Sequence, residues 1–207
     1  MKKLVSILFT VCGISAQNLI TNGDFETDAV SAGAFSRITT TNGLTGWWVG
    51  ADNSSTPALV DVDLCGEGVL AAPSGNATQF VDLNGLERGR IRQDFTTTGA
   101  ATYTVTFKYA KNRNGGIGAD AWCRVFETGT PGIAIASRFL TLPVMSTSGT
   151  TDTNQVSTVV SANVWTEATF GFTATGTATS IAFEANNAPP EKASGGILID
   201  DVSIEED

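Results

Sequence analysis

The chain has 207 residues, enough for one core, and carries 21 acidic against 12 basic side chains, a net charge of −9 that repels nucleic acid and anionic lipid. It contains no histidine, which removes the Ser-His-Asp triad, the common zinc sites and the commonest general base.

Residues 1–16 read as a signal peptide. Lys2 and Lys3 form a positive start, the apolar run from Leu4 to Val11 is too short to span a bilayer, and small residues follow at Gly13, Ser15 and Ala16. Cleavage before Gln17 is expected, leaving one domain over residues 17–207 that is secreted and does not insert into a membrane. Losing Lys2 and Lys3 takes the net charge from −9 to −11. Cys12 follows Phe-Thr-Val, a poor match to a lipoprotein cleavage box. The far end, Glu205-Glu-Asp207, carries no apolar sorting tail.

From residue 17 onward the pattern is alternation. In chain order, strands are expected at Ala58–Leu64, Thr78–Leu83, Arg90–Phe95, Tyr103–Tyr109, Ala121–Glu127, Gly132–Leu140, Gln155–Val160, Trp165–Thr173, Ser180–Glu184 and Gly196–Ile204. Tyr103, Val105, Phe107 and Tyr109 fall on one face, with Thr104, Thr106 and Lys108 on the other. Turn residues punctuate the runs, as at Asn42-Gly43, Asn84-Gly85, Thr130-Pro-Gly132 and Ser194-Gly-Gly196. About ten strands without a helical stretch imply an all-β, two-sheet antiparallel sandwich or jelly roll. Cys65 and Cys123 remain after processing, either as a disulfide or as two buried thiols.

Acidic residues sit at both ends of the domain, in Asn18-Leu-Ile-Thr-Asn-Gly-Asp-Phe-Glu26 and in Gly196-Ile-Leu-Ile-Asp-Asp-Val-Ser-Ile204. If the two segments meet, Glu26 and Asp200 can share a cation, since charge beside apolar strands needs neutralising. Together with Gly46-Trp47, Phe80-Val-Asp-Leu-Asn-Gly85 and Gly89-Arg-Ile-Arg-Gln-Asp-Phe95, these motifs resemble the galactose-binding-like β-sandwiches. The likeness is strongest to the calcium-containing carbohydrate-binding modules of secreted glycoside hydrolases. Secreted bacterial surface proteins and a plant cell-wall family share parts of the signature. The resemblance spans residues 18–204. It implies a structural Ca²⁺ between the first and last strands, with Glu26 and Asp200 as side-chain ligands and carbonyls from Gly23, Asp24 or the 42–47 turn. It also places Trp47 in the core.

Sugar rings stack on aromatic side chains while polar groups read their hydroxyls. Trp48 points away from Trp47 and is a candidate platform, and Trp122 follows the Gly-rich loop at Asn112–Asp120. Polar partners by strand position are Arg92, Gln93, Asn112 and Arg113. Arg90 and Arg92 alternate onto one face. Asp61, Asp63 and Asp82 are expected to face solvent. No Gly-x-Ser-x-Gly elbow or phosphate loop occurs, so the expectation is a non-catalytic module whose partner is a polysaccharide or glycan. The alternative is a structural or adhesive surface or matrix protein that self-associates on the same sandwich.

Overall fold

The computed structural model describes residues 17–39, 43–50, 61–69, 78–85, 88–112, 120–130, 133–141, 165–186 and 196–207. The expected signal peptide, the strand at 155–160, the first half of the strand at 58–64 and Arg113 lie outside them.

Among the described residues, alternation becomes eleven strands: β1 (Phe35–Ile38), β2 (Trp48–Val49), β3 (Val62–Gly66), β4 (Gln79–Asp82), β5 (Arg90–Thr96), β6 (Thr102–Lys111), β7 (Asp120–Glu127), β8 (Ala134–Thr141), β9 (Thr166–Thr173), β10 (Ala178–Ala185) and β11 (Ile197–Glu206). They form a six-stranded sheet, ordered β1-β3-β4-β11-β6-β9, and a five-stranded sheet, ordered β2-β5-β10-β7-β8, antiparallel throughout. The fold is an all-β sandwich. No α-helix occurs among the described residues.

Because side chains alternate across a strand, each sheet gives one apolar face to a shared core. Val62, Leu64, Val81, Val105, Phe107 and Ile199 come from the larger sheet, and Ile91, Phe95, Val125, Ile181 and Phe183 from the smaller. Phe107 meets Phe183 edge to face across the layers, with centroids 5.0 Å apart. A second, smaller cluster of Cys65, Val69, Phe80, Ala110 and Leu198 lies on the outside of the larger sheet, covered in part by Trp165. Trp165 sits edge-on to Phe80 at 5.7 Å. Cys65 belongs to this outer cluster and Cys123 to the inner core, so both are free, buried thiols.

The opening segment departs from expectation. Residues 18–26 form no strand, because Asn22 and Phe25 adopt the left-handed region at φ of 50° and 55° and coil the chain. The segment nevertheless lies against β11. The Leu19 amide donates to the Ile204 carbonyl at 2.9 Å, and the Val202 amide to the Gly23 carbonyl at 2.9 Å. Asn18 Oδ1 accepts from the amides of Ile20 and Ile204, each at 3.0 Å. β11 answers with a bulge between Asp200 and Ser203, where Asp201 has a φ of 50°. Trp47 is buried against Phe25 and donates its indole N–H to the Asn22 carbonyl at 2.9 Å.

Asp61, Asp63 and Asp82 do not face solvent. All three are buried, and Asp63 stands directly across from Asp82. Arg37 compensates part of this charge through a two-pronged bond to Asp63, at 3.0 and 3.1 Å.

Candidate functional site

The outer face of the five-stranded sheet gathers the aromatic and cationic residues. Ile91, Gln93 and Phe95 of β5 turn inward, so Arg90, Arg92 and Asp94 turn outward. Register carries this face across the strands. Arg92 is paired with Trp48 of β2 and Ala182 of β10, and Ala182 with Arg124 of β7. In the adjacent row Arg90 is paired with Glu184, Glu184 with Trp122, and Trp122 with Phe139 of β8.

Each tryptophan on this face lies under a guanidinium. Arg92 is 5.4 Å from the Trp48 ring centre, and Arg124 is 5.2 Å from that of Trp122. Trp122 also packs on Phe139 at 4.6 Å and 49°. Its indole N–H donates to Asn186 Oδ1 at 3.3 Å. Arg92 Nε lies 3.1 Å from Asp94 Oδ1, and that oxygen accepts the Ser180 hydroxyl at 2.6 Å. Arg90 is buried over the Phe126 ring at 5.7 Å. Trp48 and Trp122 are half-buried, and Phe139 is 39% exposed.

Of the expected ligand-contacting residues, the structure brings together Trp48, Trp122 and Arg92. It sends two elsewhere. Gln93 is buried, accepting from the Thr21 amide at 2.7 Å and donating to the Thr21 carbonyl at 2.9 Å. It anchors the opening segment to the smaller sheet. Asn112 is buried behind the larger sheet and donates to Asp82 Oδ2 at 2.7 Å. Gln93 follows from parity, since a one-residue step along a strand exchanges the two faces, and Asn112 from its place at the end of β6 in the other sheet. Arg124, Phe139 and Glu184 are additions. Arg124 and Trp122 are two apart in one strand, and that spacing was the available signal.

At the junction of the chain ends, the four expected cation ligands make other contacts. Glu26 turns to β4. Its carboxylate accepts from the Thr78 hydroxyl, from the Gln79 amide at 2.8 Å and from Gln79 Nε2 at 3.4 Å. The Gly23 carbonyl accepts from Val202, and Asp24 Oδ1 accepts from the Glu26 amide at 3.4 Å. Asp200 is wholly buried, with Oδ1 accepting from the Asp201 amide at 2.7 Å. Beside it, Lys108 lies 2.7 Å from Asp201 Oδ2. That contact, together with the nearby charges of Asp200 and Glu167, holds the ammonium above the usual lysine range. Among the described residues, no three His, Cys, Asp or Glu side chains come together in a way that would hold a metal. The set therefore fits a cation only in part: Asp200 with main-chain carbonyls, without Glu26. A polar hollow of about 320 Å³, lined by Asn18, Asn22, Asp24, Asp201 and Ser203 among others, opens beside the junction.

The fold is shared with solved structures. It is similar to a CBM4 carbohydrate-binding module (TM-score 0.53, 14% identity, covering 91% of this chain and 99% of that one). It is also similar to a CBM61 module in complex with β-1,4-galactotriose (TM-score 0.51, 15% identity, 93% and 100%). A third match is to part of an arabinose-bound GH51 α-L-arabinofuranosidase (TM-score 0.52, 13% identity, 95% of this chain and 27% of that one). No curated protein matches the sequence. A family model described as "Protein of unknown function (DUF642)" matches residues 18–205.

Proposed function

The chain belongs to the DUF642 family, and from that premise we propose that it is a secreted, non-catalytic protein that binds polysaccharide or glycan on the outer face of its five-stranded sheet. One observation carries the reading: register places Trp48, Arg92, Arg124 and Trp122 on a single face of one sheet. β2 and β7 are three strand spacings apart, or about 14 Å. That span suits several linked sugar units rather than one. Flat groups meet the C–H faces of the sugar, while guanidinium and carboxylate groups reach its hydroxyls. The modules with which the fold is shared support the reading, as does the burial of Asp61, Asp63 and Asp82, since a glycosidase needs two carboxylates facing across an open cleft.

Retention on insoluble polysaccharides tests it. The Trp48→Ala, Trp122→Ala double variant is expected to lose about tenfold in affinity while keeping its thermal midpoint within a few degrees. Unchanged retention refutes the reading. Self-association without retention on any polysaccharide favours a scaffold.

The same reading includes a calcium ion at the junction of the chain ends. Its support is the placement of Asp200, a buried carboxylate on β11 where the opening segment joins that strand, among oxygen donors of the kind calcium takes. Bound there, the ion would supply charge neutralisation and would hold the two ends together. A site filled at a hundredfold excess over Kd stabilises by about 2.7 kcal/mol. Chelation is therefore expected to lower the midpoint by about 5–10 °C. No shift on chelation leaves the junction to its hydrogen bonds and removes calcium.

A further inference from the structure

We propose that the outer face of the five-stranded sheet is selective for a carboxylated sugar, a uronate unit of an acidic polysaccharide, and that Arg124 takes the carboxylate. This rests on the glycan reading above and narrows it.

The argument starts from what lies on the rings. An open aromatic platform leaves a ring face free for a neutral sugar. Here the group set over Trp48 is the Arg92 guanidinium, and that over Trp122 is the Arg124 guanidinium. Phe139 takes further surface of Trp122. The two cations differ in their partners. Arg92 is matched by Asp94 at 3.1 Å. Arg124 has Ala182 and Ser137 as its cross-strand neighbours, both neutral, and among the described residues no carboxylate pairs with it. A guanidinium held over an indole has already lost part of its freedom, so less is lost when its fork takes both oxygens of a carboxylate.

Charge distribution points the same way. Arg90, Arg92 and Arg124 share this face with Asp94, Asp120 and Glu184, so it is balanced in charge where the chain as a whole carries 21 acidic against 12 basic residues. The acidic remainder of the surface repels a polyanion at long range, but at physiological salt that field decays over about 8 Å. The close contact survives it.

The test uses the whole protein with short oligogalacturonates, their methyl esters, neutral galactan and dextran sulfate. The wild type is expected to bind the free acid at least tenfold more tightly than the ester. Arg124→Gln should reduce that ratio to about one, and Arg124→Lys, which keeps the charge but loses the fork, should keep only part of it. Arg138→Gln removes the same charge from the opposite side of β8, where Arg138 lies over Phe170, and should leave the ratio intact. Equal binding of acid and ester by the wild type overturns the proposal. So does an undiminished ratio in Arg124→Gln, or dextran sulfate binding as tightly as the uronate, which would indicate charge attraction alone. Retention of neutral galactan without an acid preference overturns this inference and leaves the glycan reading standing. Failure to bind any of the glycans defeats both.

Discussion

Gly23→Ala is expected to destabilise the fold by about 3 kcal/mol, the sum of overpacking and a weakened main-chain hydrogen bond. A Cβ at this position would press into the carbonyl oxygen of Val202 and sit 3.2 Å from Ile20 Cγ2. The neighbour that has to yield is main chain, and it belongs to the bulge of β11 where Asp201 already has a φ of 50°. The same displacement stretches the 2.9 Å bond from the Val202 amide to the Gly23 carbonyl. Urea unfolding should show a lower midpoint concentration at an unchanged slope, and the melting temperature should fall by about 6–12 °C. Gly33→Ala is the matched comparison. Gly33 has a φ of 76° and nothing within 4 Å of the added carbon, so only the backbone penalty of about 1 kcal/mol applies. Equal costs at the two positions would mean that the ends of the domain are not packed as tightly as these contacts require.

The sandwich was legible because period-two alternation survives wherever one face of a strand is buried. Tyr103, Val105 and Phe107 alternate with threonines, and the structure buries that set against Phe183 and Phe172. β1 and β2 carry weaker patterns: Phe35 is 52% exposed at an edge and β2 has only two residues. The opening segment resembled a strand in composition, but Asn-Gly-Asp also favours left-handed turns, and the turns prevailed. On the candidate face, parity sufficed to separate Trp48 from Trp47 and Arg92 from the core. It also turns Gln93 inward, opposite Arg92, but a buried glutamine is stable only if its amide is satisfied, and nothing nearby in the chain showed what satisfies it. Its partner, Thr21, lies 72 residues away in sequence. Asn112 and Asp82 were obscured in the same way by a contact between distant parts of the chain.

Asp82→Asn should remove a pH dependence that wild-type stability carries between about pH 4 and 7. Asp82 is 1% exposed and stands across from Asp63 of β3 and Leu198 of β11. Burial pushes its carboxyl up to about 7, with the neighbouring Asp63 carboxylate adding to the shift; the Asn84 amide, the Asn112 side chain and the Gly196 amide pull against it. In the unfolded chain an aspartate titrates near 3.9. The folded state therefore holds a proton that the unfolded state has released, and unfolding becomes easier as pH rises through this window. The contribution is complete below about pH 4 and is lost by pH 7. An asparagine mimics the protonated acid. Its oxygen can still accept from Asn84 and Gly196, now at 2.9 and 3.0 Å, while its amide donates to Asn112 once that side chain presents its own oxygen. At pH 4 the variant should match the wild type within about 1 kcal/mol, the usual worth of one rearranged hydrogen bond. By pH 8 it should exceed the wild type by about 4 kcal/mol. The difference between the two unfolding curves reads Asp82 together with its coupling to Asp63, because carboxylates that do not face Asp82 titrate alike in both proteins. A difference that stays flat from pH 4 to 8 would show that the folded protein carries Asp82 ionised throughout, with its three donors outweighing the loss of water.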